Sequence, residues 1–250
     1  MLCARFSRTH HRAIAMACTA PETSSASYFS GRRASLPPDG AVSGIAKSPI
    51  TGPTAVDCDG LRGDEQADRR VHGGAEKAMH HFPRSHYARL AARFPAAAAL
   101  LAPGSIGENI SAAEWTEHDV HIGDVFAAGT VRLQISQPRR PCWKIDARFG
   151  VRDMAAWIQQ QGIPGWYCRV LTAGTLRPDT PLVRLESRDD TPSLAEFLAL
   201  TRAQRPPPGA LARLAALEGL AVAWVERLNA RIAWLERYAP QHARQGELGL

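Results

Sequence analysis

The chain has 250 residues, of which 45% are hydrophobic and 22% are charged; this balance is typical of a folded globular protein and excludes disorder throughout. Its formal net charge is +6, but the arginines are spread along the chain without a dense basic run, so we do not expect a nucleic-acid partner. No apolar run approaches the about 20 residues that a transmembrane helix needs, so we expect no membrane span.

The beginning of the chain predicts a leader followed by short strands. Residues 1–27 contain several arginines, a short broken apolar patch and a run of serines, and are predicted to form a disordered leader. Residues 42–47 and 54–58 each predict a short strand, and the prolines and a glycine between them predict a hairpin-like region.

A polar connection, residues 60–83, comes next and has little hydrophobic periodicity. So many polar residues in a connection inside a compact chain usually indicate a functional loop. The adjacent Gly73 and Gly74 allow close backbone approach to a ligand, and their N–H groups can cradle an anion. Lys77 could add a positive charge. The same residues could instead form an ordinary turn.

The middle of the chain predicts a helix among further strands. Tyr87, Leu90 and Phe94 share one helical stripe. The sequence GENI predicts a turn, in which Asn109 could hold a loop or a ligand. Short strands joined by tight turns across residues 28–188 predict a mixed α+β, mainly β domain built as a closed or nearly closed β-barrel.

The stretch SQPRRPCWKI contains the residue that the sequence singles out most strongly, Cys142. The alternation of apolar and polar residues over 131–136 predicts a strand with one buried face, which two prolines then end. A thiol near Arg139, Arg140 and Lys144 should ionise below the free-cysteine pKa of about 8.5, which makes it a candidate nucleophile or soft-metal ligand. A half-buried structural cysteine is the alternative.

The five cysteines lie at wide, irregular spacings. They form neither a CxxC zinc ribbon nor the framework of a secreted disulfide scaffold, so we expect reduced thiols and a cytoplasmic protein. A zinc site made from His72, His80, His81 and His86 is disfavoured, because their spacing does not place them on one helical face.

The end of the chain changes character and predicts three helices over residues 189–240, followed by a tail, residues 241–250. Ser193 and Glu196 predict a capping box at the start of the first helix. The second helix follows the prolines at 206–208, and the third has an apolar face. We expect the arginines of this three-helix module to lie on a solvated face.

Four motifs, GDEQADRRVHGG, GENI, VHIGD and SQPRRPC, occur in this order. Together they resemble the MOSC family, the domains related to the C-terminal part of molybdenum cofactor sulfurases, and in particular its YiiM-like branch. The three terminal helices resemble the 3-alpha module found behind that domain. The resemblance covers residues 28–238 and implies a mixed β-barrel fold.

The resemblance also implies a cofactor. Members of the family hold a mononuclear molybdenum centre through a molybdopterin dithiolene, and Cys142 is the expected protein ligand to the metal. The cofactor ends in a phosphate, for which the candidate donors are Gly73, Gly74, Lys77, Arg139 and Arg140. Asn109 could hold the pterin or the cysteine loop.

The activity that the resemblance implies is reduction of N-hydroxylated bases and amidoximes, in which the N–O bond is cleaved to give the amine. His72 is the candidate proton donor, because the unperturbed pKa of histidine lies near neutrality. Ordering its own loop is an equal alternative. The chain has neither a dinucleotide-binding glycine motif nor a ferredoxin cysteine spacing, so electrons would come from an external flavin, haem or iron–sulfur reductase. The chain could act as a homodimer.

A carrier protein is the competing hypothesis. In that case Cys142 would hold sulfur as a persulfide, or would hand on the cofactor without turnover. A bound pterin together with measurable N–O reduction would separate the enzyme from the carrier. DNA binding by the basic terminal helices is a minor alternative.

Overall fold

The computed structural model describes residues 22–37, 40–68 and 72–246, with the side chains of the last helix described up to residue 237. The strands are β1 (Thr23–Ser24), β2 (Ala26–Ser30), β3 (Ala34–Leu36), β4 (Ala41–Ser43), β5 (Ser48–Pro49), β6 (Thr54–Asp57), β7 (Gly60–Leu61), β8 (Met79–His81), β9 (Ile110–Ala112), β10 (Val125–Ala128), β11 (Val131–Pro138), β12 (Trp166–Thr172), β13 (Gly174–Leu176) and β14 (Leu182–Glu186). The helices are α1 (His86–Arg93), α2 (Lys144–Phe149), α3 (Met154–Gln161), α4 (Leu194–Arg202), α5 (Pro208–Ala215) and α6 (Val222–Gly246), with short 3-10 helices at Ala75–Lys77 and Pro95–Leu100.

Nine strands form the main sheet, in the order β1-β14-β10-β11-β12-β8-β9-β2-β5. Its neighbours are antiparallel except β8 and β9, which are parallel. The predicted mixed, mainly β class is confirmed. The predicted barrel is not, because the sheet ends at β1 and β5 and these two strands do not pair within the described residues. Both are two residues long, and β5 contains Pro49, which cannot donate to a further strand.

Two predictions about the first strands need correction. The expected hairpin between 42–47 and 54–58 is wrong, since β4 pairs with β3 while β6 pairs with β13 and β7. Residues 23–27 of the predicted leader lie in or between strands, because β1 pairs with β14 and β2 with β9. The remaining leader residues, 1–21, lie outside the described part.

The apolar side chains form two cores on which the helices pack. The first joins the main sheet to α4, α5 and α6, and brings Ile135 and Trp166 together with Phe197 and Leu228. The second lies under α1, α2 and α3 and includes Ile145. None of the described helices is both long enough and apolar enough to cross a membrane.

Candidate functional site

Cys142 lies on a short loop that is held on both sides. β11 ends at Pro138, and the next residue, Arg139, donates its backbone N–H to the carbonyl of Gly165 at 3.0 Å. α2 begins two residues after the cysteine and packs into the second core through the fully buried Ile145. The thiol is therefore half-buried at a fixed position between a strand and a helix.

The side chains of Cys142, His72 and Tyr167 lie next to one another in that order. Cys142 Sγ lies 3.8 Å from His72 Nε2. The other ring nitrogen, His72 Nδ1, lies 3.5 Å from the hydroxyl of Tyr167. Burial raises the pKa of Tyr167 despite the nearby positive charge of Arg139, so the phenol stays protonated and can donate to Nδ1.

His72 has a strongly lowered pKa. Burial is the main cause, and the positive charges of Arg139, Lys144 and Lys77 add to it, so the pKa falls to about 4. His72 was chosen as the candidate proton donor from the unperturbed pKa of histidine, which burial and these cations lower in the folded protein. At pH 7 the imidazole is neutral, and it can pass on only a proton that it receives from a neighbour.

A pocket opens on one side of the thiol; we call it the Cys142 pocket. The lining residues used below are Lys47, His72, Gly73, Lys77, His80, Asn109, Arg139, Cys142, Lys144 and Tyr167. All three lysines of the chain line it, although they are far apart in sequence.

Arg139 and His80 bring nitrogen atoms without hydrogen-bond partners to the Cys142 pocket. Arg139 is 4% exposed and donates from Nη2 to the carbonyl of Ile106 at 3.0 Å. Its Nε and Nη1, and Nε2 of the buried His80, have no hydrogen-bond partner in the described part of the chain. Buried polar groups are normally paired, so these atoms indicate a site that a ligand completes.

Asp64 supports the floor of the Cys142 pocket. It forms a buried ion pair with Lys47, and its carboxylate accepts hydrogen bonds from Asn109 Nδ2 at 3.0 Å and from the backbone N–H of Gly31 at 2.9 Å. The side chain of Asn109 also accepts from His80 N–H at 3.1 Å. Asn109 therefore ties β8 to the Asp64 loop.

The two predicted glycines occupy different positions. Both have positive φ angles, 86° for Gly73 and 82° for Gly74, which explains why glycine is needed there. Gly73 lines the Cys142 pocket, whereas Gly74 does not. The 3-10 helix that follows is fixed to β11, because Ser136 Oγ donates to the carbonyl of Glu76 at 2.6 Å. This bond positions Lys77.

Arg140 lies outside the Cys142 pocket. It is exposed and lines an adjoining cleft, in which Trp143 and Arg227 of α6 also lie. Lys77 lines both cavities. The predicted phosphate donors are therefore divided, with Gly73, Lys77 and Arg139 inside the pocket and Arg140 in the cleft.

The four histidines considered for zinc diverge. His86 pairs with Glu117 at 2.7 Å, and His81 stacks on Trp166 with ring centres 4.2 Å apart. Among the described residues, no three His, Cys, Asp or Glu side chains converge in a way that could hold a metal ion.

Sequence analysis missed Lys47 and Tyr167 as site residues. Tyr167 lies inside a predicted strand without any motif, and only the pairing of β12 with β11 brings it to the site. Lys47 did carry a signal, because lysine is rare in this arginine-rich chain and the other two lysines flank the predicted motifs.

Comparison with known proteins identifies the family. The MOSC domain model matches residues 68–183, a span that contains both His72 and Cys142. The protein YiiM of Escherichia coli (strain K12) is 37% identical over 194 residues, which cover 78% of this chain and 86% of YiiM. The chain belongs to the MOSC domain family, in its YiiM-like branch.

Two further comparisons agree with the MOSC assignment. The crystal structure of YiiM from Escherichia coli superimposes with a TM-score of 0.72 and 28% identity, covering 85% of this chain and 94% of YiiM. A reductase of Gibberella moniliformis (strain M3125 / FGSC 7600) is 35% identical over 135 residues, which are 54% of this chain and 24% of the reductase. This MOSC chain is thus related both to YiiM and to a region of a reductase.

Proposed function

We propose that this MOSC protein is a molybdenum-cofactor-dependent reductase that cleaves the N–O bond of N-hydroxylated bases and related N-oxygenated compounds. The observation that carries the proposal is the position of the Cys142 thiol beside buried Arg139 and His80 atoms that lack partners. Kinship with a reductase supports the reaction class.

The residues present fit a molybdopterin group. A thiol is a suitable ligand for a soft metal, so Cys142 would hold the molybdenum. The cofactor is anionic, and the buried guanidinium N–H groups of Arg139 that lack partners are suitable donors to an anion. Arg139, His80 and Lys77, with the backbone of Gly73, would hold the pterin and its phosphate. When bound, the cofactor supplies two-electron oxygen-transfer chemistry.

The protein's own side chains supply the proton path. The overall reaction is R–NHOH + 2 H⁺ + 2 e⁻ → R–NH₂ + H₂O, and the electrons come from an external flavin, haem or iron–sulfur reductase. With Tyr167 donating to Nδ1, the neutral ring of His72 carries its proton on Nε2, the nitrogen that faces Cys142. His72 can give that proton to the leaving nitrogen while it takes one from Tyr167, and water in the adjoining cleft, which Tyr167 also lines, returns a proton to the phenol.

The first test is metal content together with activity. Protein would be produced in a host that makes molybdenum cofactor, and molybdenum would be measured by mass spectrometry in wild type, Cys142→Ala and Cys58→Ala. Cys58 is exposed and lines neither cavity, so it is the matched control. We expect stoichiometric molybdenum and reduction of 6-N-hydroxylaminopurine in wild type and Cys58→Ala, and loss of activity in Cys142→Ala.

The competing carrier function predicts a different result. It predicts sulfane sulfur on Cys142 and no molybdenum in the folded protein, even when the host loads a control enzyme with the cofactor. That result would overturn the reductase proposal in favour of a persulfide carrier. The half-exposed thiol is compatible with that function, because a sulfur donor can reach it.

A further inference from the structure

A second cavity, which we call the Trp143 cleft, lies on the other side of Cys142. It is open to solvent and is lined by Lys77, Arg140, Cys142, Trp143, Trp224 and Arg227, among others. His72 and Cys142 line both this cleft and the Cys142 pocket. A molecule in the cleft would therefore lie beside the same thiol and imidazole that line the pocket.

The Trp143 cleft is rich in positively charged side chains. Arg140 and Arg227 are exposed, and neither forms an ion pair with a carboxylate in the described part of the chain. The positive charge of Arg140 helps burial to lower the pKa of both Lys77 and Arg227, so the three cations lie close together. Asp68 is the acidic residue among those that line the Trp143 cleft.

Neighbouring arginines show what a structural role looks like here. Arg202 donates to the carbonyl of Gln159 at 2.8 Å, and Arg231 donates to the carbonyls of Thr201 and Ala203. These guanidinium groups donate hydrogen bonds to backbone carbonyls at or near the C-terminal ends of α3 and α4. Within the described residues Arg140 and Arg227 donate to no carbonyl, and Arg227 lies over the ring of Trp224 at 5.5 Å, so their N–H groups can bind an anion that enters the cleft.

Trp143 adds an aromatic surface beside the thiol. Its side chain is 57% exposed although it follows Cys142 directly, whereas Trp224 of the same cleft packs edge-to-face on Phe197 in the core. A large exposed indole next to a reactive group provides a surface on which a nucleic-acid base can stack.

We propose that the Trp143 cleft takes N-hydroxylated substrates as nucleotides, with the base against Trp143 beside Cys142 and the phosphate held by Arg140 and Arg227. The inference rests on the proposed function and names its substrate class. The reaction stays the same N–O cleavage, and the phosphate is bound without being changed. A phosphate between two guanidinium groups receives charge-assisted hydrogen bonds, whose strength exceeds that of neutral ones.

The experiment compares two substrates of the holoenzyme, 6-N-hydroxylaminopurine and its ribonucleoside 5′-monophosphate. Reduced methyl viologen supplies the electrons, so that no protein donor is needed. We expect kcat/KM to be about tenfold or more higher for the nucleotide, since one charged hydrogen bond contributes about 1.5–3 kcal/mol. Arg227→Ala should lower the ratio of the two kcat/KM values about tenfold, and Arg227→Glu should lower it further.

Arg213→Ala is the matched control, because Arg213 is exposed on α5 and lines neither cavity. It should keep the ratio of wild type. Equal kcat/KM for the two substrates, or equal losses on both in Arg227→Glu, would overturn the inference. A loss that occurs only with a protein electron donor, on both substrates alike, would instead make the cleft the donor's docking surface.

Calorimetry with AMP separates this inference from the proposed function. AMP has no N–O bond, so its binding to the holoenzyme does not depend on turnover. We expect AMP to bind wild type and Arg213→Ala, and to bind Arg227→Glu at least about tenfold more weakly. Undiminished AMP binding in Arg227→Glu refutes the phosphate site. Absence of reduction of both substrates refutes the reductase and the substrate assignment, even where AMP binds.

Discussion

At the scale of single residues, the site shows how far side-chain chemistry can be inferred before the fold is known. Cys142 and Arg139 share one motif, so their proximity was predictable from the sequence. The neutral state of His72 was not, because it depends on burial and on cations that two separate segments bring to the ring. Residue types are visible in a sequence, whereas the electrostatic environment that sets a pKa is a property of the fold.

His81 provides a prediction for acid stability. The ring is buried against Trp166, and neither of its nitrogens has a hydrogen-bond partner in the described part of the structure. Burial is the main cause that lowers its pKa to about 3. Below its ordinary pKa of about 6.5, the unfolded chain binds a proton that the folded protein excludes, so acid favours unfolding. Between pH 7 and pH 5, His81 alone should lower the free energy of unfolding by about 2 kcal/mol.

The His81→Phe variant isolates this contribution, because it keeps an aromatic ring against Trp166 and removes the titrating group. Urea unfolding of wild type and variant at the two pH values gives the comparison. We expect the variant to lose about 2 kcal/mol less than wild type on acidification. Parallel losses in the two proteins would show that His81 does not titrate on unfolding.

At the scale of secondary structure, elements with a strong local pattern were predictable and their partners were not. The strand predicted over 131–136 is present as β11, and the stripe of Tyr87 and Leu90 lies on α1. The hairpin was wrong because local turn residues do not determine which strand a short segment pairs with. α2 was missed, since its six residues are too few to show a helical period.

The start of α4 is a predicted feature that the structure confirms. Ser193 Oγ accepts from the backbone N–H of Glu196 at 3.2 Å, and Glu196 Oε2 accepts from the backbone N–H of Ser193 at 2.8 Å. Ser193→Ala removes the first of these bonds and should lower the free energy of unfolding by about 1 kcal/mol. Ser193→Gly should cost only a few tenths of that, about 0.3 kcal/mol, since glycine is tolerated at this position. Equal losses for the two variants in urea unfolding would argue against the cap.

At the scale of the whole molecule, the site depends on contact between the sheet and the terminal helices. The Trp143 cleft is lined by Arg140 of the cysteine loop and by Arg227 of α6. The start of α6 is fixed to β11, because the backbone N–H of Ala221 donates to the carbonyl of Ser136 at 2.9 Å. The predicted boundary between residues 188 and 189 therefore separates two parts of the sequence that share one core and one candidate site.

This shared core leads to a prediction about cooperativity. Leu228 of α6 is 1% exposed and belongs to the same core as Ile135 of β11. Leu228→Ala should lower the free energy of unfolding by about 2–5 kcal/mol. Because the core is continuous, the sheet and the helices should unfold together, and far-UV circular dichroism and tryptophan fluorescence should give the same shifted midpoint.

Val222→Ala, at a position 64% exposed on the same helix, is the control and should change stability by less than about 0.5 kcal/mol. Two separate transitions, with only the helical one shifted by Leu228→Ala, would show that the helices form an independent domain after all.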